Sequence, residues 1–231
     1  MAAAFELAML DGVEEPVRRY LAHVVAPGAQ LSASWTLTMT GSIRVRARLR
    51  FAARQVLDGA SFTWRARVPS NRLRPLEVTD FYRGGTGGTS GRLLGRQLFA
   101  DTGPDVTRSA ATRAVMESTM VPATLLPHTG VRWEVLSENA IRFRRPEVGD
   151  AEPVTVSIDA LGRPGRVEAL RWRADKNRPG RLVPFRATLS GERAFAGITV
   201  PEKIIAGWVT DDRFEPFYIA RFAQVSPGAD L

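Results

Sequence analysis

Apolar and polar residues along this chain keep two different periods. Near the N-terminus Val17, Tyr20, Leu21 and Val24 recur at helical spacing and form one apolar stripe. Glu14 and Glu15 precede it with Pro16 close behind, a composition suited to the positive end of a helix. Ala26-Pro27-Gly28 ends the pattern, so a helical segment is expected over about residues 3–25, its first part (3–9) a second short helix or a fraying end. Beyond it the period falls to two. Trp35, Leu37 and Met39 alternate with threonines; Ile43, Val45, Ala47, Leu49 and Phe51 then alternate with Arg44, Arg46, Arg48 and Arg50. Successive side chains on a strand point to opposite faces, so this second run reads as a strand with one apolar and one arginine face.

The same alternation returns in Trp64, Ala66 and Val68 against Arg65 and Arg67, and in Ile141 and Phe143 against Arg142 and Arg144. A third instance reads Leu170, Trp172 and Ala174 as the apolar face against Arg171 and Arg173. Further strands are expected at 154–158, 183–189, 198–209 and 217–225. Turn residues separate the runs: Asp58-Gly59, Pro69-Ser70-Asn71, Ser137-Glu138-Asn139, 161–165 and Arg178-Pro179-Gly180. The pattern predicts a mainly β protein: a long curved antiparallel sheet of about ten to twelve strands, too many to lie flat, forming a half-barrel or a closed barrel. One stretch departs from it. Residues 106–120 lack alternation and carry Ala110, Ala111, Ala114, Val115 and Met116, which predicts a helix. The proline-bounded loop 122–127 follows, before a strand at 131–136. No linker, repeat or low-complexity tract divides the chain, so residues 1–231 are expected to form one domain.

Two short helical segments are little material to cover the apolar face of so long a sheet. The uncovered remainder predicts a concave apolar space between sheet and central helix-loop (about 106–127), the usual setting for a small ligand.

Composition narrows the chemistry. There is no cysteine among the 231 residues, which removes disulfides, thiolate metal sites and cysteine nucleophiles. The net charge is +8, and all but Lys176 and Lys203 of the 32 basic residues are arginine. These are spread along the chain, and arginine in place of lysine is what a GC-rich genome gives, so the charge does not point to nucleic acid as a partner. The first residues lack a positive stretch before a long apolar core, and no run approaches the length of a membrane span; a cytoplasmic protein is expected.

The tract Gly84-Gly85-Thr86-Gly87-Gly88-Thr89-Ser90-Gly91 lacks the lysine and following helix of a phosphate loop and reads as a hairpin turn or strand bulge. Two histidines, His23 and His128, at no ligand spacing, argue against zinc, and no cofactor is implied. His128, in the loop after the central helix, would serve as a base if that loop lines the hollow. Asp80 closes an apolar strand, Glu117 lies on an apolar helix and Glu134 follows Trp133; each is placed to be partly buried. Structural pairing with arginines such as Arg113 or Arg54 is the simpler role for them, and proton transfer the alternative. The five tryptophans sit mostly on apolar strand faces, as core or as the wall of a ligand site.

Several stretches resemble a bacterial family of uncharacterised proteins: Pro16 to Leu21, Phe62 to Arg67, Asp80 to Gly87, Glu117, Pro122-Ala123-Thr124-Leu125-Leu126-Pro127, and Gly130-Val131-Arg132-Trp133-Glu134. Members often carry a tryptophan just before the proline-bounded loop, where this chain has Met120, a difference that would widen a cavity there. The family brings no activity to transfer. A long curved sheet with helices on its concave side also resembles the lipoprotein-carrier (LolA-type) half-barrel, a likeness of fold alone.

The leading expectation is a protein that binds a largely apolar small molecule between the sheet and the central helix-loop. Trp64, Tyr82, Met120, Leu125, Leu126, Trp133 and Glu134 would line the site. Asp80, Glu117 and His128 would be the catalytic groups if the same hollow served a cofactor-free cyclase or isomerase. A third reading has the arginine face meet an acidic partner.

Overall fold

The computed structural model describes residues 3–70, 74–174 and 179–228; the expected turn residues Asn71 and Arg178 lie outside them. A 3-10 turn, Leu7–Leu10, precedes helix α1, Glu15–Val24, whose Pro16 sits in the first turn and whose buried stripe is Val17, Tyr20, Leu21 and Val24. The strands β1 (Ser34–Arg44), β2 (Arg48–Asp58), β3 (Ser61–Ser70), β4 (Arg74–Arg83), β5 (Thr86–Leu93) and β6 (Arg96–Asp101) follow as consecutive hairpins. Helix α2, Pro104–Glu117, then runs into 3-10 turns at Ser118–Met120, Pro122–Leu125 and Pro127–Thr129. The remaining elements are β7 (Arg132–Ser137), β8 (Ala140–Arg144), β9 (Val154–Ile158), β10 (Pro164–Arg173), β11 (Arg181–Ser190), β12 (Arg193–Phe195), β13 (Ile198–Val200), β14 (Lys203–Thr210) and β15 (Arg213–Pro227).

Thirteen of these strands make one sheet in the order β6-β5-β4-β3-β2-β1-β15-β14-β11-β10-β9-β8-β7, antiparallel throughout, while β12 and β13 form a separate ribbon. The sheet does not close, since β6 and β7 are its two edges. Its curl follows from α2, which packs against β4 and β5 on one side and β10 on the other. Strands β5 and β10 are eight positions apart in the sheet, about 38 Å if it were flat. A helix roughly 10–12 Å across touches both only if the sheet wraps round it.

Three expectations are corrected. The run 43–51 is a hairpin tip, with Arg44 paired to Arg48, Ile43 to Leu49, and Val45 73% exposed at the turn. Its three-residue loop returns the chain with unchanged parity, so two strands look like one. The run 198–209 divides at Pro201, which has no N–H to donate, into β13 and β14. These divisions carry the strand number past twelve. In β10 the faces are inverted: Val167 and Ala169 are buried and Leu170 is 46% exposed, which puts Arg171 on the inner register.

The buried face at the β7–β8 edge is covered by α1, which also packs against β13 and the turn at Pro122–Leu125. There Leu125, Leu126, Ile141, Phe143 and Ile198 are all at 0% exposure. Arg145, just past β8, ties the turns down: its Nε donates to Glu147 Oε1 (2.8 Å), and Nη1 to Ser118 Oγ (3.0 Å).

Candidate functional site

The glycine tract fixes where α2 sits. Gly84 and Gly85 make the β4–β5 turn with positive φ, as the hairpin reading expects. Gly87, inside β5, has a different role: a Cβ there would stand 2.6 Å from Ala110 Cβ and 2.9 Å from Thr107 Cα. Only a bare backbone lets α2 approach this closely. The contact is locked by Gly87 N–H donating to Thr107 Oγ1 (3.1 Å).

So placed, α2 lowers Arg113 between two carboxylates. Its Nη1 donates to Asp80 Oδ2 and its Nε to Glu117 Oε1, both at 2.8 Å, and its Cζ lies 4.4 Å from the Phe62 ring centroid. The other carboxylate oxygens are also engaged: Thr89 Oγ1 donates to Asp80 Oδ1 (2.6 Å) and Gln55 Nε2 to Glu117 Oε2. Burial opposes the charge of Arg113, but Glu117 and Asp80 outweigh it and hold the guanidinium above the ordinary arginine pKa. The bridges to α2 therefore knit β2, β4, β5 and the helix together. Of the two arginines considered from sequence, Arg113 is the partner; Arg54 pairs in register with Arg65 on the opposite face of the sheet.

Beside this network lies a cleft of about 210 Å³ between α2 and the inner faces of β1, β2, β3, β4, β10, β11, β14 and β15. Its floor is made of small side chains, Ala187, Ala206 and Ala220, ringed by Met39, Met116, Met120, Phe185, Phe217 and Phe222. Polar groups are few: Gln55, Asp80, Arg113, Glu117, Thr119, Arg171 and Tyr218, with Trp64. Tyr218 is deeply placed, and burial raises its phenol pKa, with the nearby Arg113 opposing. Its hydroxyl donates to Met39 Sδ (3.3 Å), and Trp64 Nε1, close to the same hydroxyl, is buried without a well-formed hydrogen bond. Among the described residues no group of three or more His, Cys, Asp or Glu side chains gathers to hold a metal ion.

Of the residues singled out from sequence, Trp64, Asp80, Glu117 and Met120 line this cleft. Tyr82 is buried on the inner face of β4 opposite Phe62, outside the lining. Leu125 and Leu126 belong to the packed end of the molecule, where Trp133 Nε1 donates to the Leu125 carbonyl (3.1 Å) and the indole packs against Tyr20 and Phe143. These three are core, because the proline-bounded turns fold under α1 and not over the hollow. His128 is exposed on the last of those turns. Glu134 points away from Trp133, as alternate residues of a strand must, and faces Arg142 at 3.6 Å on the exposed side. Sequence reasoning missed Gln55, Arg171, Tyr218 and the alanine floor. Gln55 carried a signal, a polar side chain at an inward parity position; Arg171 carried none, because the faces of β10 read inverted, and the alanines carried one only as a deficit of volume.

No curated protein matches the sequence. Among solved structures the chain is similar to a LolA superfamily protein from Nitrosomonas europaea (11% identity, 94% of this chain and 93% of that one, TM-score 0.45). It is also similar to a putative outer membrane lipoprotein-sorting protein domain from Vibrio parahaemolyticus (9% identity, 84% and 85% of the two chains, TM-score 0.37). Among the described residues no helix is long and apolar enough to cross a membrane. The family expected from the sequence motifs is met directly: residues 3–220 match the model of a family of unknown function, DUF6544, and the chain belongs to that family.

Proposed function

We propose that this protein binds a compact, largely apolar small molecule in the cleft under α2. The observation that carries this reading is the cleft itself, about 210 Å³ floored by alanines and walled by methionine and aromatic side chains. An apolar cavity of roughly 150 Å³ holds a benzene ring, so this one suits a ligand of about ten heavy atoms, with the few polar groups orienting it. Catalysis in the same cleft has less support, because all four oxygens of Asp80 and Glu117 are already engaged by Arg113, Thr89 and Gln55.

The outer face offers a larger hollow of about 770 Å³, lined by Arg54, Arg65, Arg67 and Arg92 with Glu77. It favours an acidic partner as a second reading. Its charges stand in solvent, where salt screens them, and Glu77 already faces Arg67 at 3.8 Å.

Titration with 1-octanol, followed by calorimetry, tests the cleft. Saturable binding is expected for the wild type and its loss in Ala206→Leu, which places a branched side chain on the floor. No saturable binding, or binding that Ala206→Leu leaves untouched, overturns the reading.

A further inference from the structure

Arg171 is a cation of the cleft whose pairing the fold leaves unfinished. It stands on the inner register of β10, beside the buried Val167 and Ala169. A guanidinium in such surroundings costs stability unless it is paired. Its Nε donates to the Ser109 carbonyl of α2 (3.0 Å). Among the described residues no other hydrogen bond and no ion pair holds it. The planar group is nevertheless fixed in place, with its Cζ 4.9 Å from the Phe185 ring centroid and 5.8 Å from that of Trp208. Anchored at Nε and held against two rings, it keeps the edge bearing its two terminal amino groups without an acceptor among the described residues.

The acids of the cleft do not supply what is missing. Asp80 and Glu117 give their oxygens to Arg113, Thr89 and Gln55. Burial, and after it the charge of Arg113, lowers the pKa of Arg171 to about 10, with Glu117 and Asp80 only partly compensating. Arg171 is thus a cation at neutral pH in a site that disfavours it. One further donor in the same lining is short of an oxygen: the Tyr218 hydroxyl, beside Trp64 Nε1, has a thioether, a weak acceptor, as its partner. The carboxylate oxygens of the cleft are spent while Arg171 still has donors to spare, so a purely hydrocarbon guest would leave this imbalance in place.

We propose that the ligand of this cleft is an amphipathic anion, an apolar body ending in a carboxylate, and that the open edge of Arg171 receives the carboxylate as a two-pronged donor. The proposal rests on the cleft-binding reading and adds the chemical class of the guest. The match is geometric as well as electrostatic, because a guanidinium edge presents two parallel N–H groups at the spacing of two carboxylate oxygens. The apolar body would then lie over Ala187 and Ala206, against Phe185.

The test compares octanoate with 1-octanol, two probes of nearly equal length that differ in the head group, by calorimetry on the intact protein. Wild type is expected to bind octanoate at least about tenfold more tightly than 1-octanol, the usual scale of a charge-assisted hydrogen bond. Arg171→Gln should bring octanoate down toward the level of 1-octanol, with a loss for octanoate much larger than any for 1-octanol. Arg171→Lys, which keeps the charge and loses the fork, should fall between. The Arg171→Lys measurement also decides the matter should Arg171→Gln fail to fold. If 1-octanol binds as tightly as octanoate, or if either substitution leaves octanoate affinity intact, the carboxylate assignment is wrong while the cleft reading stands. If neither probe binds the wild type, both fall.

Discussion

Beneath α1 the concave side of the sheet is solid, and beneath α2 it is hollow. At the first end Leu125, Leu126, Ile141 and Phe143 meet Val17, Tyr20 and Leu21 with no exposure beyond 0%. At the second, Ala53, Ala187, Ala206 and Ala220 occupy the inward positions of neighbouring strands, and about 210 Å³ stays open above three of them. Both ends are apolar, so hydrophobicity does not distinguish them. Side-chain volume does. A sheet of constant strand spacing keeps a hollow wherever the inner positions are too small to reach the helix that covers them. The two ends also hold their covers differently: by buried hydrocarbon under α1, by the ion network of Arg113 under α2.

The comparison breaks most sharply under opposite changes of volume. Leu125→Ala, at the solid end, is expected to lower unfolding free energy by about 3 kcal/mol, since the removed atoms leave a cavity that its neighbours cannot fill. Ala206→Leu adds the same atoms at the hollow end, where an overpacked core would lose about 1–3 kcal/mol; here the added atoms enter open space and the loss should be under about 1 kcal/mol. Urea unfolding of both variants measures this directly. Equal losses would mean that the two ends are packed alike.

Arg113→Met tests the second difference. It leaves Asp80 and Glu117, whose side chains are 27% and 21% exposed, without their shared cation. Full burial would make such a break cost about 3–5 kcal/mol; with this exposure to solvent about 2 kcal/mol is expected. The triple change Arg113→Met, Asp80→Asn, Glu117→Gln should recover most of that loss, because the penalty comes from the stranded charges. Urea unfolding of the single and triple variants decides it: a triple variant no more stable than the single one would mean that Arg113 acts through packing against Phe62.

Period two makes the sheet and its one-sidedness legible and period 3.6 the first helix, because both are properties of consecutive residues; the central helix shows as a loss of alternation. The errors fall where parity alone is not enough. The hairpin at residues 45–47 hides because an odd loop preserves parity, and β10 was read inside out because Leu170 and Trp172 looked more like core than Ala169 and Arg171. The candidate site was half legible. Trp64 is legible from its strand face, Asp80 and Glu117 as acids within apolar elements, and Met120 from the family resemblance. Leu125, Leu126 and Trp133 were misplaced because nothing local says which of two helices a proline-bounded turn will fold beneath. Arg171 was invisible as a ligand group, since its isolation depends on Arg113 having taken both acids from elsewhere in the chain.

The solid end carries one polar defect that bounds how well packed it is. Tyr20 is at 0% exposure, and its hydroxyl has no hydrogen-bond partner. Tyr20→Phe removes that oxygen and leaves the ring against Trp133, so the variant should be about 1 kcal/mol more stable than wild type at pH 7. The difference should widen in alkali. Burial raises the Tyr20 pKa well above the ordinary phenol value, while in the unfolded chain it ionises near 10. The unfolded state therefore sheds a proton that the folded state retains, and stability present below pH 10 is lost as pH rises beyond it, by about 1.4 kcal/mol per unit for each such group. Wild type carries three phenols shifted upward, Tyr20, Tyr82 and Tyr218, and the variant two. Unfolding in denaturant at pH 7 and pH 11 should thus give the variant a smaller alkaline loss. An equal loss, with no gain at pH 7, would mean that water reaches the Tyr20 hydroxyl and that the end under α1 is less solid than its side chains make it.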